Sequence, residues 1–371
     1  MIPLRRLNVV TGANGSGKSS LYRALRVLGD TAQGRVIPSL AREGGLHSTL
    51  WAGPESISRS VQRGDYPVQG TRRQHPVNLR MGFASDDFGY LIDLGLPKQP
   101  NSSAFSLDPE IKRECIWHGP QLRPSTMLVD RRGPLVRFRS DDGSWNIVTD
   151  SLSAFDSMML VADPRNAPEM LMLRESIRAW RFYDHFRTDA ESPARFPQIG
   201  THTRVLGNDG ADLASAIQTI IEIGDAEGLA TAVADAFPGG HLSVTNNLGR
   251  FALAMYQHGL LRPLDAAELS DGTLRYLLWI AALLTPRPPA LMVLNEPETS
   301  LHPDLLPALG RLVSRSSQQS QVIVVTHASS LISALSEEAG CNSIMLEKAF
   351  GETKIVGAKE LNLPAWHWPA R

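Results

Sequence analysis

Cysteine is nearly absent. The 371 residues hold two, Cys115 and Cys341, and neither sits in a Cys-x-x-Cys pair. A disulfide framework is excluded, and reduced thiols are the expectation. No run approaches the roughly 18 apolar residues of a membrane helix. The strongest, Tyr276 to Leu284, soon meets Pro286, Pro288 and Pro289. The opening MIPLRRLNVVTG has basic residues but no long apolar region behind them, so it does not read as a secretory signal. Excess charge is lacking too. Lys plus Arg is 37 and Asp plus Glu is 38, a net charge of −1. That argues against a chain that coats nucleic acid by charge alone and leaves room for local basic patches. Internal repeats, low-complexity segments and sustained heptads are also missing. What remains is a chain with 42% hydrophobic residues, enough for a sizeable core. The length fits two or three compact units, or one large α/β unit with an insertion. A cytoplasmic protein with no membrane partner is expected.

Hydrophobic periodicity divides the chain. Leu7–Thr11 reads as a buried strand, followed by a Gly-rich loop and a helix over Ser19–Leu28. Gly34 to Gly70 has no clean period and reads as irregular connections with short pieces of structure. Asn78–Ala84, Gly89–Leu94, Met127–Asp130, Leu135–Arg139 and Trp145–Val148 are short alternating runs separated by turn signals, the pattern of an antiparallel meander. A helical region is expected from Ser151 to about Phe237, with helices over Pro168–Phe186, Ala211–Ile223 and Ala226–Ala236. Arg174, Arg178, Arg181 and Arg187 give the first of these a basic face, which fits a solvated surface better than a nucleic-acid contact. Strands over Leu242–Thr245 and Phe251–Tyr256 follow. Then Asp271–Leu284, Ala290–Leu294, Pro303–Ser314 and Gln321–Thr326 alternate helix and strand, which implies parallel βαβ units. A helix over Ser329–Ala339 and a hairpin, Ser343–Glu347 with Thr353–Val356, close the pattern.

Gly12-Ala13-Asn14-Gly15-Ser16-Gly17-Lys18-Ser19 matches GxxxxGK[ST] in full and lies between a strand and a helix. The chemistry needs each part. Glycines let successive N–H groups of Asn14, Gly15, Ser16, Gly17 and the helix start, including Ser20, curl around phosphate oxygens. Lys18 reaches the β- and γ-phosphates, and Ser19 offers a hydroxyl to Mg²⁺. Farther on, the apolar run Ala290–Leu294 ends in Asn295-Glu296. A carboxylate at such a strand end is placed to take a proton from an attacking water. Ser270 is a good N-cap at the start of a helix, a bland feature by itself, and its place 25 residues before Asn295 makes that helix end a candidate second anion site. His327 ends the strand Gln321–Thr326, where it is a candidate sensor of the γ-phosphate.

The ordered motifs GANGSGKSS, ELSDGT, LMVLNEPETSLHP and VIVVTH resemble the ABC-type ATPase heads of the RecF, SMC and OLD group, and more narrowly bacterial AAA-family ATPases with an ABC-like head. The resemblance spans residues 7 to 331 and is least specific over about 30 to 235. It implies a P-loop α/β fold of ABC type with a mixed β core, an N-terminal antiparallel meander and a helical insertion. The implied division is an ATPase lobe over 1–150, a helical insertion over 151–236 and a second ATPase lobe over 237–371. ATP and Mg²⁺ are the implied cofactors. The resemblance makes Glu296 the general base and His327 the switch histidine. Ser270 and Gly272 become signature residues that reach ATP on a second copy in a head-to-tail dimer, and Thr299, Ser300, Leu301 and His302 the D-loop between copies.

The sequence departs from the pattern at three points. Asn295 stands where an Asp is usual, so Mg²⁺ would be held without that negative charge. Asp271 puts a charge beside the phosphate-binding signature turn, where it would cap the helix or contact the opposing copy. Such heads usually open with an extra strand and a short YRS-like or FRS-like segment before the phosphate-loop strand, whereas the six residues before Leu7 hold no aromatic for adenine. Glu110 and Glu114 are the candidates for the Q-loop residue, against an exposed charged turn. A long coiled coil and an OLD-type nuclease domain have no counterpart here. Two functions stay open: an ATP-hydrolysing switch that regulates a DNA-related or defence-related partner, and a nucleotide-sensing scaffold with little hydrolysis that docks an effector nuclease or toxin. A DNA-repair factor is a weaker third, and a transporter subunit is the least favoured.

Overall fold

Leu7–Gly12, Leu291–Asn295 and Gln321–Val325 are rich in Val, Leu and Ile without strict alternation, the mark of strands covered on both faces. In the computed structural model all three lie in one parallel sheet. The structure describes residues 2–50, 52–53, 78–97, 104–357 and 368–369. They form two compact units. One comprises Ser19–Ala179 and the chain from Lys348 on; the other comprises Ile2–Lys18 and Trp180–Glu347.

Strand β1 (Leu7–Gly12) leads into the phosphate loop, and α1 (Lys18–Thr31) leads out of it. Two short helices, α2 (Val36–Arg42) and α3 (Gly45–Thr49), occupy the start of the stretch expected to be irregular. Its part from residue 54 to Gly70 lies outside the described residues. The meander follows as β2 (Asn78–Ala84), β3 (Phe88–Gly95), β4 (Glu110–His118), β5 (Met127–Arg132), β6 (Leu135–Arg139) and β7 (Trp145–Thr149). Each strand pairs antiparallel with the next.

Strand β4 corrects the reading of Glu110 and Glu114. Neither sits in a nucleotide-facing loop; both are strand residues of the meander. Glu110 pairs with Lys112 two residues on. Glu114 is fully buried and accepts four hydrogen bonds: from Tyr90 Oη (2.7 Å), Arg131 Nη1 (2.6 Å), Ser157 Oγ (2.6 Å) and the Met158 N–H (2.8 Å). Arg131 is equally buried, and its remaining donors go to the carbonyls of Gly133, Ser153 and Asp156. A buried charge is tolerated only when paired and satisfied in this way. The pair fastens residues 153–158 to the sheet. Burial, with the nearby Glu114 charge, also pushes the Tyr90 hydroxyl pKa up.

The helix expected over Pro168–Phe186 is shorter. Helix α4 (Pro168–Arg178) ends before Trp180, and Arg181–Tyr183 forms strand β8. Phe182 and Tyr183 lie parallel beside Val293 and Leu294. Tyr183, Phe186 and Trp279 then make an aromatic cluster, with Phe186 4.9 Å from Trp279 between centroids. That packing overrides the helical period. The four arginines therefore share no helix face. Arg174 and Arg178 pair with Glu175, Arg181 lies on β8, and Arg187 pairs with Asp189 and Glu191.

The second unit continues with β9 (Gln198–Ile199), α5 (Leu213–Ile223), α6 (Ala226–Ala236), β10 (His241–Asn247), β11 (Arg250–Tyr256) and β12 (Leu264–Asp265). Strands β9 to β12 form an antiparallel sheet around β11. Then come α7 (Asp271–Leu283), β13 (Leu291–Asn295), α8 (Leu306–Ser317), β14 (Gln321–Val325), α9 (Ser329–Ser336), β15 (Asn342–Ala349) and β16 (Glu352–Ile355). Strands β15, β1, β14, β13 and β8 lie side by side in that order, all parallel. Every residue of α7 from Leu274 to Leu283 is buried. A helix buried on all sides is a core helix, and α7, with Arg275 the one charged residue of that buried stretch, packs into the main hydrophobic cluster with α5, α8 and the parallel strands.

Replacing Arg131 by Leu leaves the Glu114 carboxylate buried without its cation. A loss of about 3 to 5 kcal/mol in denaturant-unfolding stability is expected, against almost none for Glu110→Gln.

Candidate nucleotide-binding site

In a parallel sheet, ligands bind beyond the carboxyl ends of the strands. Here those ends carry the motifs. Strand β1 ends at Gly12, β14 runs out into Thr326 and His327, β13 ends at Asn295 and β8 is followed by Asp184. The ladder aligns them: the Thr326 N–H donates to Val10 O (3.1 Å) and the Glu296 N–H donates to Val325 O (2.8 Å). Strands β1 and β13 are two places apart, roughly 10 Å at the usual strand spacing. That separation suits a phosphate group on one side and an attacking water on the other.

The loop after β1 is shaped for an anion. Gly12, Gly15 and Gly17 have φ of 150°, 78° and 106°. A Cβ on Gly12 would lie 2.4 Å from Leu346 O and 2.5 Å from Ser16 Oγ, so only glycine fits there. Ser16 Oγ is buried and has no hydrogen-bond partner among the described residues. An unsatisfied hydroxyl in a nest of backbone N–H groups fits a phosphate oxygen. Lys18 Nζ donates to Gly12 O (2.6 Å) and Ala13 O (3.1 Å), which keeps the ammonium inside the loop. Asn14 and Gly15 are exposed at the loop tip, and Ser19 and Ser20 are exposed in the first turn of α1.

Asn295 has a partner that the sequence did not announce. Its Nδ2 donates to Asp184 Oδ1 at 2.6 Å. This leaves the amide oxygen of Asn295 and the second oxygen of Asp184 as acceptors. Asp184, the residue after the neighbouring strand β8, thus places a carboxylate beside the position where a strand-end Asp would carry one. Oxygen donors of this kind fit Mg²⁺, which takes one or two protein ligands and completes its shell with phosphate and water. Among the described residues no group of three or more His, Cys, Asp or Glu side chains is arranged to hold a metal ion by itself, so phosphate oxygens would contribute to any such ion.

Glu296 adopts a left-handed backbone with φ of 48°, and Ser300 does the same at 62°. Such strain in side-chain-bearing residues is held by the surroundings. The turn is pinned at several points. The Thr299 N–H donates to Glu296 O, the Leu301 N–H to Glu298 O, and Trp279 Nε1 to Pro297 O. His302 caps the turn that follows, accepting from the Asp304 N–H.

Glu298 is the second residue that sequence reasoning missed. It is buried, and its Oε1 accepts from Thr326 Oγ1 (2.6 Å) and the His327 N–H (3.0 Å). His327 Nδ1 lies 3.3 Å from Glu298 Oε1 and 3.8 Å from Glu296 Oε1. A carboxylate on Nδ1 fixes the ring and leaves Nε2 for a ligand. The second oxygen of Glu298 is buried without a partner among the described residues. Both glutamates of Asn295-Glu296-Pro297-Glu298 were visible in the sequence; their opposite burial was not.

Ser270 caps α7, its Oγ accepting from the Thr273 N–H at 3.2 Å. Gly272 is tied to its neighbour by space: a Cβ there would lie 3.1 Å from Ser300 O. Upstream, Glu268 receives both guanidinium arms of Arg262 and the Asp265 N–H. Arg262, then Asp265, hold its carboxyl down to about 2. Asp271 does not cap the helix. It pairs with Arg195 of its own chain at 2.6 Å.

The strain at Glu296 has a measurable signature. Glu296→Ala and Glu296→Gly both delete the carboxylate, but only glycine relaxes the left-handed backbone. The Gly variant is expected to be the more stable by about 1 kcal/mol in chemical unfolding, the reverse of the order at an unstrained position.

Residues 7–333 match the model of the AAA_21 family, described as "AAA domain, putative AbiEii toxin, Type IV TA system". No curated protein matches the chain. Among solved structures, an SMC head bound to the C-terminal winged-helix domain of ScpA is similar over 96% of this chain and 91% of that one, at 14% identity and a TM-score of 0.50. An SMC head with an extended coiled coil, bound to the C-terminal domain of ScpA from Pyrococcus furiosus, is 13% identical with a TM-score of 0.46, over 96% and 91% of the two chains. The SMC head domain from Thermotoga maritima is 14% identical with a TM-score of 0.40, over 96% and 92%. The fold is that of an SMC-like, ABC-type ATPase head, and the chain belongs to the AAA_21 family.

Proposed function

We propose that the chain is an ATP-hydrolysing switch that closes head-to-tail on a second copy around Mg·ATP. The observation that supports this most is the Asp184–Asn295 contact on the edge that also carries Glu296 and His327. It supplies the charge whose absence at Asn295 was the main reason to expect weak hydrolysis. The residues fit the cofactors. The Gly12–Gly17 amides, Ser16 and Lys18 hold the phosphates of ATP, with Lys18 leaving the Gly12 and Ala13 carbonyls to do so. Ser19, Asn295 and Asp184 would hold Mg²⁺, which would neutralise phosphate charge. Glu296 takes the proton of the attacking water at its carboxylate. His327, held by Glu298, presents Nε2 to the γ-phosphate. Ser270 and Gly272 of the second copy offer the positive end of α7 to the same phosphate. The Thr299–His302 turn lies between the copies.

Opening and closing of the pair is the output, read by a partner protein in the cytoplasm, and the toxin–antitoxin description of the matched family favours a defence-related partner. No observation adds support to DNA as the partner, since the arginines expected to form a basic helix face are dispersed and mostly ion-paired. Among the described residues no helix is long and apolar enough to cross a membrane.

Turnover lost in Lys18→Ala and Glu296→Gln, with the second alone forming a lasting dimer on ATP, is the expected result in a phosphate-release assay combined with light scattering. Wild type that binds ATP through Lys18 but neither hydrolyses it nor dimerises would replace this reading by the scaffold. Asp184→Asn should raise the magnesium concentration for half-maximal turnover by about tenfold, as expected when an oxygen-ligated ion loses a carboxylate. An unchanged magnesium curve removes Asp184 from the metal site.

A further inference from the structure

Two buried arginines, Arg195 and Arg275, take no part in the reading above. Both are under a tenth exposed. Arg195 uses every donor nitrogen of its guanidinium. Its Nε donates to the carbonyls of Thr188 (3.0 Å) and Asp189 (3.0 Å). Its Nη1 donates to the carbonyls of Ala266 (3.2 Å), Ala267 (3.1 Å) and Leu269 (2.7 Å). Its Nη2 donates to Thr188 O (2.8 Å) and Asp271 Oδ1 (2.6 Å). Ser270 is thereby bracketed: the carbonyl before it and the carboxylate after it are held by one rigid, planar cation. Arg275, one turn into α7, donates from Nη1 to Thr299 O (2.8 Å) and from Nη2 to Phe186 O (2.9 Å) and Thr188 Oγ1 (3.3 Å).

The two cations meet on one short segment. It starts at Asp184, against Asn295, and runs through Phe186 and Thr188. From there Arg195 reaches the Ser270 turn and Arg275 reaches the Thr299–Ser300 turn. Gly272 packed on Ser300 O closes the circuit. Asp271 finds its explanation here. It is neutralised by Arg195, so it does not spoil the anion-binding end of α7, and it gives that end a fixed attachment to the Asp184 segment.

We propose that Arg195 and Arg275 are positioning residues that lock the Ser270 and Thr299–Ser300 turns to the segment beginning at Asp184, so that metal and phosphate at a chain's own loop set the posture of the surface it offers to a second copy. The proposal rests on the reading that Mg·ATP sits at the phosphate loop and Asp184, and on the head-to-tail reading only for its use. The coupling itself lies within one chain and can be measured there. Two sites joined through packed and hydrogen-bonded elements count as coupled only when a change at one is detected at the other.

The test is hydrogen exchange with and without Mg·ATP, at a dilution where light scattering shows the chain to be monomeric. In wild type, Mg·ATP should slow exchange of amides 268–274 and 298–302 by about tenfold. Arg195→Lys and Asp271→Asn should bind ATP within about twofold of wild type, since neither touches the phosphate loop, yet lose the slowing. Lys18→Ala, which binds no nucleotide, should show none. The same slowing in Arg195→Lys or in Asp271→Asn as in wild type, or no slowing in wild type, overturns the proposal. Asp271→Asn, nearly isosteric and partly exposed, keeps the test usable if Arg195→Lys does not fold. Turnover and the Glu296→Gln dimer report separately on the proposed function. Slowing without either would sink that reading and leave the coupling in place.

Discussion

The hydrogen-bond ladder of β14 is the constraint on which the site depends. This strand lies between β1 and β13, so its register fixes how the phosphate loop and the Asn295-Glu296 end face each other. Val325 is opposite both Val10 and Asn295. A slip of one residue would turn every side chain to the other face and part the two halves. The strand resists slipping because Val322, Ile323, Val324 and Val325 are all buried, with the helix layer on one side and the far side also covered. Core packing and site geometry are here one requirement.

Beyond that edge, charge and backbone are arranged so that carboxylates differ in environment. Glu296 is half exposed and held in a left-handed turn, while Glu298, two residues on, is buried against Thr326 and His327. One carboxylate is open to water and the other lies beside the His327 ring, a division that depends on environment rather than residue type. The buried arginines follow the same logic in reverse. Arg131, Arg195 and Arg275 each collect backbone carbonyls from segments far apart in the chain, where an unpaired carbonyl would be costly.

What the sequence made legible was local. The phosphate loop is eight consecutive residues whose spacing is fixed by its ligand, and β13 and β14 announce themselves as unbroken apolar runs. The meander was visible from its alternation and turns, except for β4. There the charges of Glu110-Ile111-Lys112-Arg113-Glu114 hid a strand, because the cation that makes Glu114 buriable is Arg131 on the next strand. Asp184 was hidden for a related reason. The amphipathic period of Pro168–Arg178 runs on into Arg181-Phe182-Tyr183, and only packing against Trp279 and β13 turns those residues into a strand. The aromatic, β-favouring composition of Trp180–Tyr183 was the signal available. Nothing local marked Arg195 as the partner of Asp271, since the two are 76 residues apart.

The central claim is that a working site is built from Lys18 of one chain and Ser270 of another. It is tested most directly by mixing two inactive variants, Lys18→Ala and Ser270→Ala, and measuring ATP turnover of each alone and of the mixture. The account predicts little turnover from either and clear recovery on mixing, because the mixed pair contains one site with both residues intact. Full turnover by Ser270→Ala alone, or no recovery from two folded variants, would contradict it.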